Sequence, residues 1–169
     1  ANIYRNIIDD SLNVSPVSRS FININKCRGR VVAIGETGLD YSYGEDFDLI
    51  NLQKKVFIEH INLADELQLP VIVHARGSND GSSKVYDDVI EVLQHQVVSL
   101  QGKFRGVIHA FHGTFGQAKK LMDLGLVIGI NAMILDDDEL ANVVKKIDMK
   151  KILLETDAPY FHPNSANQK

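Results

Sequence analysis

The chain has 169 residues, of which 44% are hydrophobic, and a formal net charge of −4. This size and apolar fraction suit one domain with a substantial core. The slight acidity excludes a general electrostatic attraction to nucleic acid or to an anionic membrane. Cys27 is the only cysteine, so an intrachain disulfide is excluded and a reducing compartment, the cytoplasm or the nucleus, is expected. No apolar stretch approaches the roughly 18 residues of a membrane-spanning helix, so we expect no membrane contact.

Five short apolar segments recur along the chain and predict buried β-strands. Their near-continuous hydrophobicity and their β-branched residues favour parallel strands covered on both faces over a half-exposed antiparallel sheet. The predicted strands are Val31–Ile34, Val71–Val73, Gly106–Ile108, Leu126–Ile130 and Ile152–Leu154.

Amphipathic stretches between the predicted strands indicate four helices, each of which would bury one face on the sheet. In the fourth, acidic residues come first and Lys145 and Lys146 come toward the end, which complements a helix dipole. The predicted helical segments are Leu52–Leu67, Val85–Val97, Ala118–Met122 and Asp136–Ile147.

The alternation of strands and helices predicts an α/β fold with a parallel sheet and right-handed crossovers. Composition alone favours an open doubly wound sheet. Three segments are irregular: a leader at 1–29, to which no function is assigned, a Gly/Ser-rich loop at 77–83, and a polar tail at 162–169. The loop directly follows the second strand, where binding loops of α/β folds tend to lie.

Ionisable residues follow four of the five predicted strands. Glu36, His74, His109 and Asp157 each come at or just after the carboxyl end of a strand, and those ends meet at the functional edge of a parallel α/β fold. Carboxylate and imidazole are the ligand types of Zn²⁺, Mn²⁺ and related divalent ions. The sequence therefore predicts a shared metal site formed by these four residues.

Each of these residues also has a structural interpretation when it is taken singly. His74 could be a hydrogen-bonded rim residue, Glu36 a helix cap, and Asp157 a turn residue before Pro159. Together they favour a cation, because like charges desolvated in one cleft are unfavourable without one.

Two further residues after the strands are candidates for contact with a substrate. Arg76 is a candidate phosphate ligand because its planar donors match phosphate oxygens, and the alternative is a salt bridge to Glu155 or Asp40. His112 follows the third strand and faces the same opening, so we expect it to touch substrate rather than metal. His60 and His95 lie within predicted helices and are expected to be solvent-facing or structural.

Four motifs, in order, resemble the TatD-type metal-dependent deoxyribonucleases of the amidohydrolase-like (β/α)₈ barrels. Gly35–Tyr41 is similar to the family's GE-x-GLDY signature, and Leu69–Arg76 to its strand ending in HxR. His109–Gly113 resembles its HxFxG motif, and Glu155–Tyr160 its ETDAPY motif. Order and spacing agree over 30–161, which we take as the TatD-like domain, a (β/α)₈ TIM barrel of which about five βα units are present.

The resemblance implies a role for each matched residue. Glu36 would bridge two metal ions and share in catalysis with Asp157, His74 and His109 would complete one ion, and Asp157 would bind the other. Asp40 would support the ligands from behind, and Glu155 would either bind substrate or support the ligands. The implied cofactors are one or two divalent ions (Zn, Mg or Mn), the implied partner is DNA, and the implied reaction is hydrolysis of a phosphodiester by metal-activated water, with exonuclease character. The oligomeric state is not indicated.

The sequence departs from the family pattern at three places. It contains no HxH pair, which in the family supplies two ligands to the ion shared with Asp157. Gly77 stands where the family usually has Asp, and His112 stands where it usually has a small hydroxyl or acidic residue. The missing pair raises a second hypothesis, a catalytically silent metal-binding or assembly module. A third hypothesis is an amide or lactone hydrolase of a related barrel.

Overall fold

A computed structural model describes residues 31–78, 83–100 and 104–158, with the side chains at 98–100 left undescribed. The predicted leader at 1–29 and the tail at 162–169 lie outside these ranges, as does most of the loop at 77–83. The statements below concern the described residues.

The core of the fold is a five-stranded sheet in the order β1-β2-β3-β4-β5, in which all neighbouring strands are parallel. The prediction of an α/β fold with a parallel sheet is confirmed. The described strands do not close into a barrel, since β1 and β5 lie at the two edges. The strands are β1 Ile34–Asp40, β2 Val71–Arg76, β3 Gly106–Ile108, β4 Leu126–Ile130 and β5 Ile152–Leu154.

The helices lie between successive strands, as the periodicity predicted. Asp46, Thr114 and Asp137 cap the first, third and fourth helix through side-chain oxygens that accept backbone N–H groups, which satisfies donors that have no partner within a helix. The helices are α1 Phe47–Leu67, α2 Lys84–Leu100, α3 Phe115–Asp123 and α4 Asp138–Val144. The predicted end of α4 was wrong, because the helix ends at Val144 and Lys145 and Lys146 follow it.

Burial alternates along β2, contrary to the expectation that the strands are covered on both faces. Val71, Val73 and Ala75 are buried in the hydrophobic core, whereas Ile72 and His74 are only half-buried. Successive side chains of a strand point to opposite faces. The helices therefore cover the face that carries Val73, and His74 lies on the opposite face.

Helix α1 offers a test of this core, because it carries one buried and one exposed phenylalanine. Phe57 is 0% exposed and Phe47 is 77% exposed. We expect Phe57→Ala to lower the free energy of unfolding by about 3–5 kcal/mol, since it leaves a cavity in a packed core. Phe47→Ala, the matched control, should change it by less than about 0.5 kcal/mol. Urea denaturation measures both, and equal losses would contradict the assignment of the core face.

Candidate metal centre

The predicted site residues lie at one edge of the sheet, although two of them lie within strands rather than after them. Glu36 lies inside β1, because this strand starts at Ile34 and continues to Asp40. His74 lies inside β2, whereas His109 directly follows β3. The prediction that Glu36 follows the first strand was wrong. The polar segment that follows Ile34 forms β1 because its backbone pairs with β2. The register of this pairing is irregular between Ile34 and Thr37.

The register of the parallel strands sets which side chains meet. Gly38 pairs with His74 across β1 and β2, and a Cβ at Gly38, whose φ is +151°, would lie only 1.9 Å from the His74 carbonyl oxygen. A glycine is needed at this close approach of the two backbones. Between β2 and β3, the His109 N–H donates to the Val73 carbonyl at 2.8 Å. This bond continues the pairing of the two strands past the end of β3. His74 in β2 and His109 directly after β3 are thereby brought side by side.

The imidazole of His74 lies between two carboxylates. Its Nε2 is 3.1 Å from Asp40 Oδ2, and its Nδ1 is 2.6 Å from Glu36 Oε1. When Nε2–H donates to Asp40, Nδ1 of the neutral ring is a lone pair that faces a second acceptor. A proton or a cation between Nδ1 and Glu36 relieves this opposition.

Asp40 is itself held by side chains on both sides. The Gln53 amide from α1 accepts from the Asp40 N–H at 2.8 Å and donates to the Asp40 carbonyl at 2.9 Å. These are the two bonds that the backbone of a further strand beside β1 would make. Burial by itself raises the pKa of the Asp40 carboxyl, but hydrogen bonds from Ser42 and His74 outweigh it and hold the pKa below its ordinary value of 3.8. Asp40 is therefore a fixed, ionised acceptor behind His74.

A charged cluster fastens the turn after Asp40 to two helices. The Tyr41 hydroxyl donates to Asp88 Oδ2 at 2.8 Å, while Lys54 and Lys84 donate to the same carboxylate at 3.1 and 2.8 Å. Burial raises the pKa of Tyr41. Burial also tends to raise the pKa of Asp88, but its three hydrogen-bond donors outweigh that effect and lower the pKa. Neither Gln53 nor Asp88 was singled out by the sequence, because both belong to helical faces with ordinary polar composition.

His109 is oriented by Glu155. Its Nδ1 donates to Glu155 Oε2, and the other oxygen of this carboxylate accepts from the Ala110 N–H at 3.0 Å. With its proton on Nδ1, the neutral ring presents the lone pair of Nε2, which lies 3.7 Å from Glu36 Oε2 and 3.7 Å from Asp157 Oδ1. The His109 side chain is 11% exposed.

The chemistry of this donor set fits a divalent metal ion. Within the described ranges no three His, Cys, Asp or Glu side chains are already arranged to hold one. However, His109 Nε2 lies 3.7 Å from Glu36 Oε2 and 3.7 Å from Asp157 Oδ1, and two ligands of a tetrahedral ion lie about 3.4 Å apart when each bond is about 2.1 Å. The carboxylates behind His74 and His109 match the usual outer shell of histidine ligands.

These residues line one pocket with a volume of about 350 Å³, within the roughly 300–1,000 Å³ typical of small-molecule sites. Arg76 is exposed at its wall, and neither predicted salt bridge forms in the described structure, since Asp40 and Glu155 contact His74 and His109 instead. The remaining lining residues are Ala75, Gly77, Ser78, Ser83, Tyr86, Ala110, His112 and Met133.

His60 and His95 are not among the residues that line the pocket. His60 Nδ1 is 2.8 Å from Thr37 Oγ1, and burial lowers the pKa of this ring, which agrees with a structural role. His95 is exposed on α2. His162 lies outside the described residues.

A family model described as TatD related DNase matches residues 14–169. The chain belongs to the TatD-related DNase family. The resemblance inferred from the four motifs is confirmed, and the fold neighbours below confirm the barrel-type α/β class.

Three comparisons place the chain within the TatD-related DNases. It is 39% identical over 139 residues to an uncharacterized metal-dependent hydrolase of Buchnera aphidicola, covering 81% of this chain and 48% of that protein. It is 32% identical to a 3'-5' ssDNA/RNA exonuclease TatD of Salmonella typhimurium, covering 95% of this chain and 58% of that protein. A crystal structure of a TatD homologue from Escherichia coli superposes with a TM-score of 0.63 at 32% identity, covering 77% and 46% of the two chains. The chain spans about half the length of the curated relatives it matches.

The two hydrogen bonds between the Gln53 amide and the Asp40 backbone, here called the Gln53 clamp, can be tested in this TatD-related chain. A substitution that removes both bonds but keeps a side chain of similar volume is needed. We expect Gln53→Met to lower the free energy of unfolding by about 2–3 kcal/mol, since two hydrogen bonds are lost and the Asp40 backbone groups are left without these partners. Gln94→Met, at an exposed position of α2, is the matched control and should have little effect. Chemical denaturation at pH 7 measures both variants. Similar stabilities for the two would show that the clamp contributes nothing.

Proposed function

We propose that this chain provides the active site of a metal-dependent deoxyribonuclease, which hydrolyses phosphodiester bonds of DNA. The observation that carries the proposal is that both imidazoles face Glu36: His74 Nδ1 lies 2.6 Å from Glu36 Oε1, and His109 Nε2 lies 3.7 Å from Glu36 Oε2. An imidazole nitrogen and a carboxylate oxygen that face each other without a proton between them are unfavourable unless a cation joins them.

Four side chains of the chain would hold divalent metal in this proposal. Glu36, His74 and His109 form one set, and Asp157 belongs to a second ion. Divalent metal, when bound, supplies a water of lowered pKa and positive charge beside the phosphate. The Buchnera relative is named a metal-dependent hydrolase, which supports this requirement. Zn accepts both carboxylate and imidazole ligands, whereas Mg and Mn favour the carboxylates of such a set.

The substrate side of the proposal rests on the pocket and on the relatives. Arg76 lies exposed at the pocket wall, where its planar guanidinium can bind two phosphate oxygens at once. The chain is acidic overall, with a net charge of −4, so contact with DNA would be local rather than spread over a basic surface. The name of the Salmonella relative, a 3'-5' ssDNA/RNA exonuclease, favours exonuclease action on single strands.

A second function is favoured by one feature of the sequence. The resemblance assigns to the ion shared with Asp157 an HxH pair, and the sequence contains none. A chain that holds metal only through Glu36, His74 and His109 would act as a metal-binding or assembly module without turnover. The two functions differ in the number of ions bound per chain and in the presence of turnover.

Substitution of the proposed ligands tests the leading function. Glu36→Gln and His109→Ala should each reduce metal-dependent cleavage of an end-labelled single-stranded DNA by more than about 100-fold, because loss of a ligand should exceed the 10- to 100-fold effect typical of outer-shell partners. His95→Ala, at an exposed histidine outside the pocket lining, is the control and should retain cleavage.

Elemental analysis of the same samples separates the two functions. Two ions per wild-type chain together with turnover would support the nuclease and exclude the silent module. One ion without turnover would support the module. Cleavage that persists in both ligand variants would refute the assignment of the site.

A further inference from the structure

His112 carries a buried ring nitrogen with no partner among the described residues. Its Nδ1 lies 3.1 Å from the Ala110 carbonyl oxygen, and because a carbonyl can only accept, Nδ1 must carry the proton. The neutral ring therefore has a bare lone pair on Nε2, and this atom is buried without a hydrogen bond in the described part of the protein. Such an atom is unfavourable unless a ligand or a water donates to it.

Tyr86 places an O–H donor beside His112, whose Nε2 is an acceptor. Its hydroxyl oxygen accepts from the His112 N–H at 2.8 Å, so its own O–H proton is free to point elsewhere, and no acceptor for it is found among the described residues. Burial raises the pKa of Tyr86 to about 12, which keeps this proton in place at neutral pH. The ring packs edge-to-face on Phe111, with centroids 4.9 Å apart, and this contact fixes the position of the hydroxyl.

Both residues line the same pocket as the candidate metal ligands. Ala110, between His109 and His112, has a φ of +46°, a left-handed conformation that non-glycine residues rarely adopt. Strain of this kind clusters at functional sites. The turn at Ala110 lets two histidines three positions apart line one pocket.

We infer that His112 and Tyr86 bind the hydrogen-bonding edge of a nucleobase adjoining the scissile phosphate. A base edge carries N–H donors and oxygen or nitrogen acceptors side by side, which complements the bare nitrogen of His112 and the O–H donor of Tyr86. A phosphate group offers only acceptors, so it does not satisfy the lone pair of Nε2. The inference rests on the proposed nuclease function and adds to it a residue that determines specificity. It also gives a use to His112, where the sequence departs from the family pattern.

The test measures binding without turnover. The dissociation constants of the purified chain for single-stranded thymidine trinucleotide and for the same molecule with an abasic central sugar are compared in the presence of a metal chelator. The ratio of the abasic to the intact constant should be well above one for the wild type. In His112→Asn, whose amide can replace Nδ1 but not Nε2, this ratio should fall about tenfold, the loss expected for one hydrogen bond.

Three more variants make the result specific. His112→Gln, whose longer amide reaches the position of Nε2, should recover most of the ratio, and Tyr86→Phe should reduce it because the O–H donor is removed. His95→Asn, at an exposed histidine outside the pocket lining, should leave the ratio at the wild-type value. Thermal unfolding of each variant shows whether it is folded.

Two outcomes would overturn the inference: equal or undetectable binding of the two trinucleotides by the wild type, or a ratio that His112→Asn and Tyr86→Phe leave intact. Neither outcome depends on DNA cleavage. A wild-type chain that prefers the intact trinucleotide through His112 but does not cleave DNA would count against the proposed function alone.

Discussion

Parallel pairing of β1, β2 and β3 is the constraint on which the rest of the site depends. The ladder aligns Gly38 with His74, and the bond from the His109 N–H to the Val73 carbonyl carries it one residue beyond β3. The same continuation occurs at β5, where the Glu155 N–H donates to the Ile130 carbonyl at 3.1 Å. Because all strands run in one direction, residues far apart in the sequence reach one edge of the sheet with a spacing set by backbone hydrogen bonds.

Two carboxylates then determine which nitrogen of each imidazole faces Glu36. Asp40 stands behind His74 and Glu155 stands behind His109, and each accepts one ring N–H. The second nitrogen of each ring is left to face Glu36. An acidic cluster in which two neutral imidazoles face a further carboxylate is a stable arrangement only with an added positive charge. The demand for added positive charge, from a proton or a metal cation, thus follows from the hydrogen bonds that orient the histidines.

The sequence was a good guide to the strands, the helices and the family, and a poorer guide to the supporting contacts. Apolar β-branched runs and helical spacing are local signals, and they placed β3, β4 and β5 at their observed bounds. The first strand was predicted at Val31–Ile34 but lies at Ile34–Asp40, because its polar, glycine-containing segment pairs through its backbone, which side-chain patterns do not report. Gln53 was missed for a related reason, since its amide acts on the backbone of a residue 13 positions away. Contacts of this kind depend on tertiary geometry rather than on spacing.

The central claim is that a divalent cation, rather than a proton, joins Glu36 to the two histidines. Anomalous diffraction from crystals of the chain soaked in Zn²⁺ or Mn²⁺ tests it most directly. The account predicts a peak within bonding distance, about 2.0–2.2 Å for Zn²⁺, of Glu36, His74 and His109, with Asp40 and Glu155 still accepting from the far ring nitrogens. A structure that shows no peak at these side chains while Glu36 and His74 remain hydrogen-bonded to each other would contradict it.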